Sequence, residues 1–381
     1  MCVLRATAMS FDEAGAPMMR IPYRDLRVKD PALRTELFDA VGRVLDHGRL
    51  VLGPEHDQFE AEVARRCHRT HAVGVGSGTD ALYLALRALD VGPGDEVITT
   101  ALSWIATANA IVLCGATPVF VDIDWDLNID VDLIESAVTS RTKAILPVHF
   151  TGQICRMPQI EAVARRHELR VIEDGAQAFG ASQDGRMSGS FGDVSCFSMN
   201  PMKVLAAYGE AGAVVTDDDA LRDRLQSLRY NGTVNKQDCH WPSLNSRLDT
   251  VQAAMLLVSL KRLPARIDAR RAIARAYGEQ LKDVVQCPVE RPGNLHIYYA
   301  YSVLADRRAA LIAHLAQKGI ETQVQHPLPM PRHTAYRDRS HAPTPVADRA
   351  AERILCLPNQ EDVTLEQVQY VCGHIREFYA S

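Results

Sequence analysis

Two residues in the middle of this chain could share one reaction. Asp174 ends the apolar run Arg170-Val-Ile-Glu-Asp174, and Lys203 closes the loop Phe197-Ser-Met-Asn-Pro-Met-Lys203, ahead of Gly209-Glu-Ala-Gly212. A lysine amine can hold an aldehyde as a Schiff base, and a carboxylate can keep a pyridine nitrogen protonated so that the ring accepts electrons. Pyridoxal phosphate chemistry requires both. Taken singly, each residue has an ordinary explanation, because loop lysines are commonly solvated and an aspartate after a strand commonly caps a turn. The pairing gains meaning only if the rest of such a site is present.

A phosphate anchor is the first thing to look for. The stretch Val73-Gly-Val-Gly-Ser-Gly-Thr-Asp80 leads from a short apolar strand into a run with apolar residues at helical spacing. Glycine lets backbone approach an anion closely, and free amides at a helix N-terminus bind phosphate. Gly78 and Thr79 are therefore the phosphate candidates. A flat ring also needs an aromatic partner, and Trp104 stands where the strand Glu96–Thr99 gives way to a helix. A buried core tryptophan would fit that position as well. Asn245-Ser-Arg-Leu-Asp249 precedes an alanine-rich helical run, Thr250–Leu260, and by composition reads only as a helix start.

In this order the motifs resemble the nucleotide-sugar aminotransferases, the fold type I pyridoxal-phosphate family often called the DegT family. The resemblance runs from about Ile21 to the C-terminus. It rests on Gly76-Ser-Gly-Thr-Asp-Ala-Leu82, Gly92-Pro-Gly-Asp-Glu-Val-Ile98, Gly115-Ala-Thr-Pro-Val-Phe-Val-Asp122 and Pro147-Val-His-Phe-Thr-Gly-Gln153. It continues through Ile172-Glu-Asp-Gly-Ala-Gln-Ala178, Gly189-Ser-Phe-Gly-Asp193, Phe197–Lys203 and Asn245–Asp249. The resemblance implies a Schiff base on Lys203, which also shuttles the proton. It implies Asp174 at the pyridine nitrogen, Gln177 at the ring hydroxyl and Trp104 on the ring face. Gly78, Thr79 and Ser198 would hold the phosphate. Asn245 would reach the phosphate of a neighbouring subunit, which makes the implied assembly a homodimer with shared sites.

Three stretches depart from the family pattern. Met199 and Asn200 stand where an aromatic or His commonly precedes Pro-x-Lys. The usual Arg-Asn-His-Gly is Arg229-Tyr-Asn-Gly232, and the usual His-Tyr-Pro is Gln325-His-Pro327. The cofactor-holding residues are unchanged, so the departures bear on the substrate. The implied reaction is transfer of an amino group from glutamate or glutamine to a keto group of a nucleotide-linked sugar, in ping-pong fashion. A keto-cyclitol acceptor, a dehydratase relative and a non-catalytic regulator are the alternatives. The dehydratase branch typically has His at the lysine position, and this chain has Lys203.

Composition narrows the classes further. The chain has 381 residues, enough for a large α/β core and a smaller unit, and 47% hydrophobic with 23% charged residues is ordinary globular usage. No stretch is apolar over the length of a membrane span, and Met1–Pro17 lacks the pattern of a secretory signal. A net charge of −5 leaves no basic field for nucleic acid. The nine cysteines fall singly, without a Cys-x-x-Cys pair, which argues against a zinc finger or disulfide framework and for reduced thiols in the cytoplasm. No metal site is expected.

The elements that must position these residues alternate. Strands are expected at Ala72–Val75, Glu96–Thr99, Thr117–Val121, Ala144–Val148, Arg170–Glu173, Val194–Phe197 and Ala213–Thr216, with helices at Asp80–Leu89, Ile105–Cys114, Val131–Val138 and Met157–His167. This rhythm predicts an α/β fold, a mainly parallel sheet with helices on both faces and the site beyond the strand C-terminal ends. The pattern breaks near Arg262, where a helix from about Leu263 to Val284 would cross to a smaller α+β unit with strands at Ala300–Val303 and Thr322–Val324 and a helix at Ala309–Lys318. The expected division is an N-terminal extension at 1–20, a cofactor-binding domain at 21–262 and a small C-terminal domain at 263–381. His149 and His326 could contact substrate or serve as structural and surface histidines. Arg247 could bind an anion or pair with Asp249.

Overall fold

A computed structural model of the chain describes residues 19–339 and 341–381. The extension expected at Met1–Pro17 lies outside the described residues. Seven strands form the central sheet, in the order His71–Val75, Gly212–Thr216, Val194–Ser198, Arg170–Asp174, Thr142–Leu146, Glu96–Thr100, Thr117–Val121. All pairings are parallel except the two made by Gly212–Thr216, which runs antiparallel to both neighbours. The edge strand His71–Val75 therefore points the same way as the parallel set.

Both faces of the sheet are buried, which is why its strands read as nearly continuous apolar runs. Side chains still alternate between two cores. Ile98, Ile145, Val171 and Phe197 face one, with Phe59, Ile160 and Leu256 from the covering helices. Val97, Leu146, Ile172 and Cys196 face the other, with Leu82, Leu86 and Ile111. The helix expected at Asp80–Leu89 runs Gly78–Ala88, starting two residues earlier because Ser77 caps it, accepting from the Asp80 amide. The eight cysteines among the described residues are free.

Two helix expectations need correction. Val131–Val138 is not a helix but a pair of short 3-10 turns, Val131–Leu133 and Glu135–Ala137. Val131 and Ile134 still pack into the core with Ala137 and Val138 against them, so the apolar spacing that suggested a helix is satisfied by the two turns. Conversely, no break occurs near Arg262: one helix of 32 residues, Thr250–Leu281, passes straight through Pro264. A proline inside a helix leaves the carbonyl four residues earlier without its donor. That carbonyl is Leu260's, and Arg66 Nη2 donates to it at 3.1 Å. The orphan acceptor is satisfied from another helix, so the long one continues.

Beyond the sheet, Tyr301–Leu304 pairs antiparallel with Ile354–Leu357. The helices Arg308–Gln317 and Leu365–Ala380 pack on this pair with Ile273, Tyr277 and Leu281 of the long helix. Ile21 is buried in the same cluster and bridges to Ile320. The expected strand Thr322–Val324 is only one bridge, Gln323 to Cys356.

Candidate active site

Every strand that carries a chemical residue ends on the same edge of the sheet, and a cavity of about 760 Å³ opens there. Gly78, Thr79, Trp104, Asp174, Gln177, Ser198 and Lys203 all line it. Asn245 does not.

Asp174 forms the floor. It is the last residue of its strand and is 3% exposed. Thr107 Oγ1 donates to its Oδ2 at 3.0 Å, and the Ala176 amide donates to its Oδ1 at 3.1 Å. Burial pushes its carboxyl up from the ordinary range, while those donors and the nearby Lys203 charge oppose the rise. The neighbouring Glu173 points into the opposite core and is wholly buried. It accepts from His149 Nε2 (2.9 Å), Ser188 and Ser195 hydroxyls and the Gly189 and Phe191 amides. Burial raises its carboxyl, but the His149 hydrogen bond and the other donors outweigh that and hold it low. His149 Nδ1 accepts from the Cys155 amide, so its Nε2 carries the proton toward Glu173. His149 thus stands behind the floor and does not line the cavity.

Opposite the floor lies the cradle. A Cβ on Gly78 would fall 2.4 Å from Ser198 Cβ, so only glycine lets these two segments touch. Helix geometry leaves the first amides of Gly78–Ala88, those of Gly78 and Thr79, without intrahelical partners. They point positive dipole ends at the place where an anion would sit. Gln177 Oε1 accepts from the Thr151 amide at 2.8 Å, leaving its Nε2 to donate elsewhere. Trp104 is 63% exposed and is no core tryptophan; its ring stands at the rim, 6.2 Å from that of His326.

Lys203 Nζ lies 4.7 Å from the centre of the Tyr299 ring. Arg24 braces this corner by donating to the Tyr299 carbonyl (2.6 Å) and to the Met202 carbonyl. Lys203 also borders a second cavity, of about 830 Å³, beside the long helix. Its cations are largely matched already: Arg27 and Lys29 to Asp25, Arg262 to Glu36, Arg270 to Glu361. The first cavity is thus the chemically open one. His326 lines its rim in a left-handed conformation (φ 55°) against Phe150. Burial, and then the Lys203 charge, push its imidazole down to about 3, so it is neutral near pH 7. Asn200 also lines the rim, its amide held by Glu210 at 2.7 Å.

Sequence reasoning missed Thr107 and Tyr299. Thr107 had a local signal, three residues past Trp104 in the first turn of Ala106–Leu113. Arg247 does not pair with Asp249; its Nε donates to Asn245 Oδ1.

A model of the DegT/DnrJ/EryC1/StrS aminotransferase family matches residues 31–376. The chain belongs to this family. It is 42% identical over 358 residues to a UDP-N-acetyl-3-dehydro-alpha-D-glucosamine 3-aminotransferase of Acidithiobacillus ferrooxidans, covering 93% of this chain and 97% of that one. It is 40% identical over 364 residues to a dTDP-3-amino-3,4,6-trideoxy-alpha-D-glucose transaminase of Streptomyces venezuelae, with 94% and 96% covered. Among solved structures, S. venezuelae DesV in complex with a ketimine intermediate superposes with a TM-score of 0.92 at 40% identity, covering 95% of this chain and 99% of that chain. NtdA of Bacillus subtilis with bound cofactor PMP superposes with a TM-score of 0.89 at 29% identity, covering 95% and 86%.

This family member is a pyridoxal-phosphate-dependent aminotransferase of fold type I. The cavity fits the cofactor on its own terms. It offers an anion cradle that a single Cβ would fill, a buried carboxylate and one lysine, all in the lining of one cavity.

Proposed function

We propose that this enzyme transfers an amino group from glutamate or glutamine to a keto group on the sugar ring of a nucleotide sugar, at C3, in the cytoplasm. The observation that carries the reading is the convergence of Lys203, Asp174 and the Gly78–Ser198 cradle on one cavity. The two relatives above, which span nearly the whole chain, are named for amino groups at C3 of nucleotide-linked hexoses.

The bound cofactor supplies an electron-accepting ring and a carbon that carries the amino group from donor to acceptor. Asp174 holds a negative charge at the ring nitrogen, and Thr107 and Ala176 keep that carboxylate aimed. Lys203 anchors the aldehyde and afterwards moves the proton at the reacting carbon. Gly78, Thr79 and Ser198 bind the phosphate, Gln177 the ring hydroxyl, and Trp104 covers the ring from the rim. Asn245, exposed and outside its own cavity, completes the phosphate site of a second subunit.

Two experiments test this reading. The pyridoxamine form of the protein is mixed with a panel of 3-keto and 4-keto nucleotide sugars, and return of the aldehyde form is followed by absorbance. Turnover confined to 4-keto sugars refutes the C3 assignment. For the shared site, Lys203→Ala and Asn245→Asp proteins are mixed under subunit exchange. A heterodimer then has one site with both lesions and one with neither, so activity returns. No rescue with heterodimers present overturns the shared site.

A further inference from the structure

Asn245 sits on a strip of backbone that is tied down from several directions. Tyr230 bridges antiparallel to Asn245, and Val75 to Arg247. The Ser246 amide donates to the Arg229 carbonyl at 2.9 Å. Ser246 Oγ accepts from the Gly76 amide (3.1 Å) and donates to Asp80 Oδ2 (2.7 Å), which links the strip to the start of the phosphate-cradle helix.

On this base Arg247 lies over the Tyr230 ring, its Cζ 4.5 Å from the ring centre. Its Nε donates to Asn245 Oδ1 at 2.7 Å, the one side-chain hydrogen bond it makes among the described residues. A guanidinium Nε–H can only donate, so the amide oxygen must face Arg247 and the two Nδ2 hydrogens must face away. An amide without that partner can present either end. Its oxygen would repel a phosphate, whereas its NH₂ group would bind one. Tyr230, which supplies the ring beneath Arg247, stands where the resembled pattern has Asn.

We propose that Arg247, stacked on Tyr230, is a positioning residue that fixes the Asn245 amide with its NH₂ group turned outward, toward the cofactor phosphate of the neighbouring subunit. This rests on the shared-site reading given above. Arg247 acts through Asn245, and the planar stack keeps Nε in place in a way a flexible ammonium could not.

The test is cofactor affinity. Protein freed of cofactor is titrated with pyridoxal phosphate, its dimeric state is checked by sedimentation, and Kd is read from absorbance. Arg247→Met should raise Kd about tenfold, the scale of one charge-assisted hydrogen bond mis-set. Tyr230→Asn, which keeps Arg247 and the backbone bridge, should raise it by a smaller factor. In an Asn245→Ala background, Arg247→Met should change Kd less than about twofold, because the residue it positions is gone. A merely structural role for Arg247 would persist in that background. The inference is overturned if Arg247→Met alone leaves Kd within about twofold, or if its effect is undiminished without Asn245. An unchanged Kd in Tyr230→Asn removes the ring from the account. If Asn245→Ala itself leaves Kd unchanged in a dimer, the shared-site reading fails first, and this inference with it.

Discussion

Replacing Thr107 by Val removes one donor from the floor of the site, together with a longer 3.4 Å contact to the buried Ser103 hydroxyl. The side chain is 1% exposed, and the change swaps a hydroxyl for a methyl of similar size. Asp174 Oδ2 loses its donor at 3.0 Å, while Oδ1 keeps the Ala176 amide at 3.1 Å. A hydrogen bond to a charged group is worth about 1.5–3 kcal/mol, which is roughly tenfold to 150-fold. With the second donor retained, the lower end applies, and the rate of the amino-donor half-reaction should fall about tenfold. The sign of the pH effect follows from the same contact. Burial already raises the Asp174 carboxyl, and Thr107 is one of the groups that oppose it. Removing it raises the carboxyl further, so the charged form is lost at higher pH, and the acid limb of the rate profile should move up by about one unit. Single-turnover absorbance over a pH series measures both quantities, and Thr107→Ser, which keeps the hydroxyl, should restore them. An unmoved limb together with a rate within about twofold of the original would refute the reasoning.

Other positions give separate tests. Gly78→Ala places a Cβ 2.4 Å from Ser198 Cβ, so the cradle must spread; pyridoxal phosphate should bind at least about tenfold more weakly by absorbance titration, with the fold intact by circular dichroism. Glu173→Gln puts amide hydrogens among five donors in a dry core, and should cost about 3 kcal/mol or more in denaturant unfolding of the cofactor-free protein. Because Glu173 is held low, its contribution to stability is present above the ordinary carboxylate range and is lost as pH falls through its folded value; the variant should lack that acid-side loss. Borohydride reduction of the loaded enzyme and peptide mapping should find the cofactor on Lys203, and label on another lysine would contradict its role.

The strands were readable because each is a short apolar run with both faces buried, so composition and position agree; Thr117–Val121 falls on the residues expected. The helix through Pro264 was not readable, because the donor that rescues the Leu260 carbonyl is on Arg66, in a helix far off in sequence. Local rules see the proline and not its remedy. The site divides the same way. Gly78, Asp174 and Lys203 sit in motifs whose local sequence suggests their use, whereas Gln177 and Ser198 were marked only by the family resemblance. Tyr299 approaches Lys203 only because the chain after the long helix folds back against the sheet edge, and no neighbour in sequence announces it. His326 was visible as a residue, but its lowered imidazole comes from burial beside Phe150 and from the Lys203 charge, both distant along the chain.

The strand order also sets a timetable for synthesis. His71–Val75, the first strand made, pairs in the sheet with Gly212–Thr216 alone, the last of the seven. Until the ribosome has released Thr216, the first strand has no strand to pair with, and the turn that follows it is not held against Ser198. Such long-range pairing is slow and leaves an unpaired edge waiting. A nascent chain cut between Lys203 and Gly212 would carry the lysine proposed for the Schiff base and still lack the strand that docks the phosphate-cradle turn, so on this reading cofactor is gripped only once the main sheet is finished.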